Sequence, residues 1–160
     1  MPGALRRPIM LRLSRLLVLS TLLLGGCRNI VGPAGSGTYT AEVTGAFTAS
    51  YSGRMIYQPR SVTAGPGYSL HLKLPNDLFN GILLQLPGPP HAGTYQVVPD
   101  RGQELNDTEA FGGLLLPDVI YHASNGELRV TRTSPLRGTF QFEARRNGGV
   151  VTISGEFEEE

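Results

Sequence analysis

Three histidines are the side chains of this chain best suited to hold a metal ion or to activate a nucleophile: His71, His91 and His122. A zinc site needs such nitrogens to converge with further histidine, cysteine or carboxylate ligands. The three lie far apart along the chain, and none belongs to the close-spaced ligand pair that zinc sites use. We therefore expect ordinary surface or loop histidines and no bound metal.

A second candidate for cation binding is the acidic stretch formed by Asp100, Glu104, Asp107 and Glu109. Calcium prefers several oxygen ligands gathered in one loop. The spacing of these carboxylates differs from that of an EF-hand loop, and carboxylates in loops are most simply solvated. We therefore expect no calcium site here.

The usual sequence signals of catalysis are missing from the chain. There is no Gly-x-Ser-x-Gly motif to present a nucleophilic serine, nor the strand-helix-strand order that hosts it. There is also no glycine-rich loop of the kind that cradles phosphates. The sequence therefore predicts a protein that is not an enzyme and has no cofactor.

The one cysteine, Cys27, stands at the end of an N-terminal segment with a recognisable order. Four arginines and no acid precede an apolar run at residues 16–24, and Leu24-Gly25-Gly26-Cys27 follows. A basic region, a short apolar core and small residues before a cleavage point are typical of a secretory signal. An apolar run of this length is too short for a spanning helix, which needs roughly 20 residues.

Leu24-Gly25-Gly26-Cys27 resembles a lipobox, the site at which bacterial lipoproteins are lipidated on cysteine and cleaved just before it. This resemblance implies a signal peptide at residues 1–26 and a membrane anchor on Cys27, and lipidation would account for an unpaired cysteine in an exported protein. The following residue is Arg28 rather than aspartate, which in such lipoproteins favours the outer membrane. We thus expect a lipid-anchored protein of the cell envelope that faces the periplasm or the cell surface.

Removal of the signal changes the charge of the protein. It takes away four arginines and no acid, which leaves ten bases against thirteen acids, a formal net charge of −3. A mildly acidic surface does not provide the basic footprint that nucleic-acid binding requires. We expect no nucleic-acid partner.

The remaining chain alternates between apolar and polar residues. From Tyr39 to Tyr57 the residues of one parity are mostly apolar, and those of the other are mostly Thr, Ser or charged. Such a period of two predicts half-buried strands. It recurs at residues 68–74, 82–86, 94–98, 128–131, 139–144 and 151–157. The sequence predicts an all-β fold, an antiparallel sandwich or barrel of about 8–10 short strands, with Phe142 in its core.

Turn signals and loops divide these strands. Ser124-Asn125-Gly126 predicts a hairpin turn, because Asn-Gly tolerates the positive φ of tight hairpins. Residues 28–37 read as a flexible tether, so the expected organisation is a lipidated cysteine and tether at 27–37 and one domain at 38–160. Residues 100–118 have no clear period and predict a long loop.

The C-terminal part of the chain has a particular order of segments: Gly126 to Thr133, Leu136 to Ala144 and Gly149 to Phe157, with Gly93-Thr94-Tyr95-Gln96-Val97 upstream. This order resembles uncharacterised bacterial lipoproteins of β-sandwich type, which end in a three-stranded meander. The resemblance implies a fold but brings no known activity and no site residues.

Two functions remain open. The first is a non-enzymatic structural or interaction role, with an envelope protein as the partner. The alternative is a module that binds a small apolar ligand in a cavity covered by the 100–118 segment. Leu114, Leu115 and Leu116 motivate it, because three apolar residues in a loop need a surface to pack against. The six tyrosines are expected at core or rim positions, since most share the parity of the apolar residues.

Overall fold

In a computed structural model, residues 34–62, 65–77 and 79–160 are described, and they form nine strands. The expected signal peptide and Cys27 lie outside these residues. The strands are β1 (Gly35–Gly45), β2 (Ala49–Val62), β3 (Gly65–Lys73), β4 (Gly81–Leu86), β5 (Gly93–Val98), β6 (Glu109–Leu116), β7 (Val119–Thr133), β8 (Leu136–Arg146) and β9 (Gly149–Glu159).

The strands close into a single barrel in the order β1-β2-β3-β4-β6-β5-β7-β8-β9, and β9 pairs with β1. The predicted all-β class and strand number are confirmed, and between the two predicted architectures the chain takes the barrel. All pairings are antiparallel except the short one between β5 and β6. Closure pairs the outer strands with one another, which leaves no open sheet edge along the wall.

Alternation along the strands fills the barrel with apolar side chains. In β8 every second residue is buried, including Phe140, Phe142 and Ala144, so the predicted orientation of Phe142 is confirmed. No polar or charged residue is buried in the described part of the chain. The buried set draws on every strand, so the wall encloses a packed core.

Two reciprocal glycine–phenylalanine pairs shape the wall between β8 and β9. Gly138 pairs with Phe157, and Phe140 pairs with Gly155. A Cβ on Gly138 would lie 2.6 Å from the Phe157 ring, and one on Gly155 would lie 2.7 Å from the Phe140 ring. Each ring therefore covers the glycine opposite, a device that lets a sheet curve without losing apolar contact.

Three local predictions were wrong. Residues 109–116 form β6 rather than part of a long loop, since Gly112 and Gly113 hide the alternation that Ala110 and Leu114 share. A Cβ on Gly112 would lie 3.3 Å from both Ala123 and Val97, so a glycine fits this crowded point.

The expected hairpin at residues 124–126 is instead an irregularity within the continuous strand β7. The register against β8 shifts between Ala123 and Asn125, and Gly126 has a φ of +141°. Asn-Gly thus supplies the positive φ of a bulge, which bends a strand without ending it. The turn at Asn147-Gly148 does form, between β8 and β9.

Residues 35–37, expected at the end of the tether, belong to strand β1, and residues 28–33 lie outside the described part of the chain. β1 begins at Gly35 because Gly35 pairs with Tyr57 and Gly37 pairs with Met55 and Glu159. Alternation could not reveal this start, because Gly35-Ser36-Gly37 contains no large apolar side chain that would mark the inner face.

Candidate functional site

The two ends of the barrel carry different parts of the chain. The turns β1–β2, β3–β4, β6–β7 and β8–β9 lie together at one end, as the pairs Gly45–Val151 and Gly81–Leu115 require. Gly37 and Glu159 pair near the opposite end, where the first and last strands begin and finish. We call the end with the four turns the distal end and the other the proximal end.

Large apolar side chains are exposed at the distal end. Phe79 is 80% exposed in the β3–β4 turn, Ile120 is 46% exposed beside the β6–β7 turn, and Val150 is 38% exposed beside the β8–β9 turn. These are the large hydrophobic residues that stand out as exposed in the described chain, and all three lie at one end. Exposed apolar side chains that share one end of a domain make that end a candidate interaction surface.

The turn that carries Phe79 is held by its own hydrogen bonds. The backbone N–H groups of Phe79 and Asn80 donate to the Asp77 carboxylate at 2.9 and 3.0 Å, and the Asn80 amide donates to it at 2.6 Å. These hydrogen bonds, the Asn80 side-chain bond above all, lower the pKa of Asp77. The backbone of Phe79 and Asn80 is therefore held against the Asp77 side chain.

The largest of four surface depressions lined by described residues also lies at the distal end. Its volume is about 840 Å³, against about 300 to 460 Å³ for the other three. It lies beside the β6–β7 and β8–β9 turns. Its apolar lining is Leu115, Leu116, Pro117, Val119 and Ile120.

Polar and charged side chains line the rest of this distal depression. They are Arg145 and Arg146, with Asp118 as the single acid, and the uncharged amides of Asn80 and Asn147 and the imidazole of His122 complete the lining. Arg146 Nη1 donates to the carbonyl oxygen of Asp118 at 3.2 Å, which ties the two turns together. Arg145 forms an exposed ion pair with Glu143 at 3.3 Å. The arrangement is an apolar floor edged by guanidinium groups.

The histidines do not form a site. His71 faces outward from β3, between Ile56 and Leu83 of the neighbouring strands. Burial and the nearby Lys73 lower its pKa. His122 lies on β7, and His91 stacks on Tyr95 before β5, with its Nδ1 2.8 Å from the tyrosine hydroxyl. Within the described ranges no three His, Cys, Asp or Glu side chains gather as metal ligands.

The acidic stretch contributes to local turns. The Asp100 carboxylate accepts a hydrogen bond from the Gly102 N–H at 2.9 Å, and the Glu109 carboxylate accepts one from the Asn106 N–H at 3.0 Å. Glu104 and Asp107 are exposed. The carboxylates of Asp100 and Glu109 therefore stabilise the local backbone between β5 and β6.

The three leucines expected in a loop belong to strand β6. Leu114 is fully buried in the core, Leu116 packs against the core from the rim, and Leu115 faces outward into the distal depression. No lid is formed by this tripeptide, because it is part of the wall.

The tyrosines occupy core or rim positions, as predicted. Four of them are buried and two, Tyr51 and Tyr121, are partly buried and pack against the core. Burial raises the pKa of Tyr39 to about 12, and its hydroxyl donates to the Lys73 carbonyl at 2.8 Å. Tyr57 donates to the Glu159 carboxylate at 2.7 Å, and burial with this hydrogen bond raises its pKa to about 12.

Sequence reasoning did not single out Phe79, Ile120 or Arg146 as site residues. A usable signal was present for Phe79, which is a large apolar residue within a polar turn sequence. Ile120 and Arg146 gave none, because each follows the pattern of an ordinary strand. Only the barrel brings the β6–β7 and β8–β9 turns side by side.

Comparison with known proteins found no matching family model, no matching curated protein and no matching solved structure. In the described part of the chain, no helix has the length and apolar character needed to cross a membrane. The function proposed below therefore depends on the residues of this chain.

Proposed function

We propose that this protein is a lipid-anchored domain of the bacterial cell envelope that binds another protein through its distal end and has no catalytic activity. The observation that carries the binding role is that exposed Phe79, Ile120 and Val150 all lie at the end opposite the start of β1 and the end of β9. Exposing such side chains to water is unfavourable, and a partner surface would remove this cost.

An anchor on Cys27 is compatible with a binding surface at the distal end. Residues 28–34 separate Cys27 from the start of β1 at the proximal end. A flexible segment of this length has a root-mean-square reach of roughly 15 Å. An anchor on Cys27 would hold the proximal end close to the bilayer and leave the distal turns accessible to a partner.

A binding role also agrees with how the polar residues are used. The histidines lie apart, and two carboxylates of the acidic stretch, those of Asp100 and Glu109, accept hydrogen bonds from nearby backbone N–H groups. A mechanism that pairs a histidine with a carboxylate needs the two groups within hydrogen-bond reach of each other.

Binding of a small apolar ligand remains the second candidate, now at a different place. The packed core leaves Leu114 without a cavity to cover, whereas the distal depression has a volume within the range of small-molecule sites. Native mass spectrometry of the processed protein separates the two functions. A reproducible extra mass would support a bound small molecule, and a clean protein mass would support the interaction role.

The anchor is tested by changing its proposed attachment point. Cys27→Ser should prevent lipidation and processing by the lipoprotein route. The protein should then carry no added lipid mass and should no longer be recovered among the lipoproteins in a detergent extract. The matched control is a serine substitution at Thr21, within the apolar run, which keeps the cysteine. Lipid mass on the Cys27→Ser protein, or none on the unchanged chain, would contradict the anchor.

A further inference from the structure

We propose that the distal depression binds a protein segment that combines carboxylate and apolar side chains. This inference rests on the proposed interaction function and names the chemistry of the partner. The binding surface consists of Leu115 and Ile120 on the β6–β7 side and Arg145 and Arg146 on the β8–β9 side.

Arg146 supplies the strongest argument for a carboxylate. Its guanidinium is hydrogen-bonded to a backbone carbonyl, that of Asp118, and this bond orients the group without neutralising its charge. Among the described residues, no carboxylate lies within 4.0 Å of it, since the ion pairs there are Arg137–Glu158 and Arg145–Glu143. A planar guanidinium that is oriented but unpaired matches the bidentate geometry of a carboxylate.

Charge sets this depression apart from the other three. Two of those have Glu156 in their lining, and the third has Glu127 and Glu143. Their linings hold more acids than bases, whereas the distal depression has two arginines and one aspartate; Arg145 is ion-paired with Glu143, so Arg146 is the arginine of this lining that has no carboxylate within 4.0 Å among the described residues. On a protein whose expected processed form carries a net charge of −3, the Arg146 guanidinium would select an acidic partner and orient its approach.

The floor of the depression adds the apolar requirement. Leu115 is half-buried and Ile120 is 46% exposed, and they are paired across β6 and β7 on the outer face of the wall. An aliphatic or aromatic side chain of the partner would cover both while a neighbouring acid reaches Arg146. Binding energy would come from the covered apolar area, and specificity from the charge pair.

The test uses the full processed chain purified in mild detergent and an array of synthetic 12-residue peptides. Each peptide carries two leucines and two acids at varied spacing, and each has an amide twin in which Asp becomes Asn and Glu becomes Gln. We expect binding of acidic peptides that is at least tenfold stronger than that of their twins, since loss of one charged partner typically has an effect of this size. Added salt should weaken it.

Variants locate the site. Arg146→Gln and Ile120→Ser should each weaken the best peptide about tenfold or more, and Arg146→Lys should retain part of the binding. Arg129→Gln, which removes an exposed arginine from the proximal half of β7, is the matched control and should leave binding unchanged. Thermal melting of each variant identifies any loss of folding, and the Arg146→Lys comparison keeps the charge argument testable if Arg146→Gln unfolds.

Other outcomes would overturn the inference. Equal binding of acidic peptides and amide twins, no binding by any peptide, or binding that survives Arg146→Gln in a folded protein would each do so. Preferential binding to vesicles of anionic phosphatidylglycerol, with loss in Arg146→Gln, would assign the site to a membrane surface instead. Phe79→Ser separates the two proposals: it lies at the distal end outside the depression, so it should weaken partner contact in the envelope but not peptide binding.

Discussion

Truncating Leu114 to alanine tests whether the inside of the barrel is filled. Leu114 is fully buried on the inner face of β6, whereas its neighbour Leu115 is half-buried on the outer face. Leu115→Ala is therefore the same chemical change one residue away on the other side of the wall. The two variants compare the loss of a side chain inside the barrel with the same loss on its outer face, in one strand and with one substitution.

The two costs follow from burial. Leu114→Ala loses the transfer free energy of the buried isopropyl group and leaves a cavity between strands that cannot close fully, for a total of about 2–5 kcal/mol. Leu115→Ala loses part of a contact that already faces water, at a cost of about 1 kcal/mol. For a domain of this size, the melting temperature should fall by roughly 8–20 °C in the first variant and by roughly 3–5 °C in the second.

Urea unfolding of a chain that starts at Arg28, followed by circular dichroism, measures both free energies. The slope of free energy against urea should remain the same in both variants, because the surface exposed on unfolding hardly changes. If Leu114→Ala cost no more than Leu115→Ala, the barrel would have free space around Leu114. The ligand-cavity function would then regain its basis.

Three further substitutions should each change the stability of the protein in a direction that the surroundings of a single side chain determine. Tyr39→Phe should cost about 1–3 kcal/mol, because the carbonyl of Lys73 loses its 2.8 Å hydrogen bond, and urea unfolding measures the loss. Glu159→Ala should cost about 1–3 kcal/mol, because its carboxylate accepts bonds from the Leu136 N–H and the Tyr57 hydroxyl, both at 2.7 Å, and thermal melting measures it. His71 should make the protein less stable as pH falls through about 6.5, because its pKa is lowered by burial and the unfolded chain then binds the proton more readily; urea midpoints at about pH 5.5 and 7.5 should differ less in His71→Gln.

Each of these has a matched control. Tyr121→Phe removes a tyrosine hydroxyl from the rim, Glu160→Ala removes the adjacent exposed acid, and His122→Gln removes an exposed histidine from the same row of the outer wall. Controls that cost as much as Tyr39→Phe or Glu159→Ala would show that the hydrogen bonds contribute nothing specific. An unchanged pH dependence in His71→Gln would contradict the assignment of that dependence to this residue.

Alternation predicted the strands wherever each inward position carries a large side chain. It identified β8 and β9, because Phe142 and Ile153 face the core in strict period two. It failed in β6, where Gly112 occupies an inward position that other strands crowd. Closure into a barrel could not be predicted, because β1 and β9 pair across almost the whole chain and nothing local in either strand specifies its partner.

The candidate site was beyond the sequence for a similar reason. Ile120 and Arg146 are ordinary residues of two strands, and they line one depression because the β6–β7 and β8–β9 turns meet at the distal end. The chemically versatile side chains that a sequence draws attention to, the histidines and the acidic stretch, are dispersed by the fold. A binding surface made of common residue types cannot be recognised in the sequence, because only the fold brings its residues together.

Site-specific photocrosslinking in the envelope tests the central claim most directly. A photoreactive phenylalanine analogue is placed at Phe79 or Ile120, and at Thr139 on the outer wall of β8 as the matched exposed position. We predict discrete crosslinked protein bands from Phe79 and Ile120, none from Thr139, and loss of the bands when Cys27→Ser removes the anchor. Equal crosslinking from all three positions, or bands from Thr139 alone, would contradict a binding surface at the distal end.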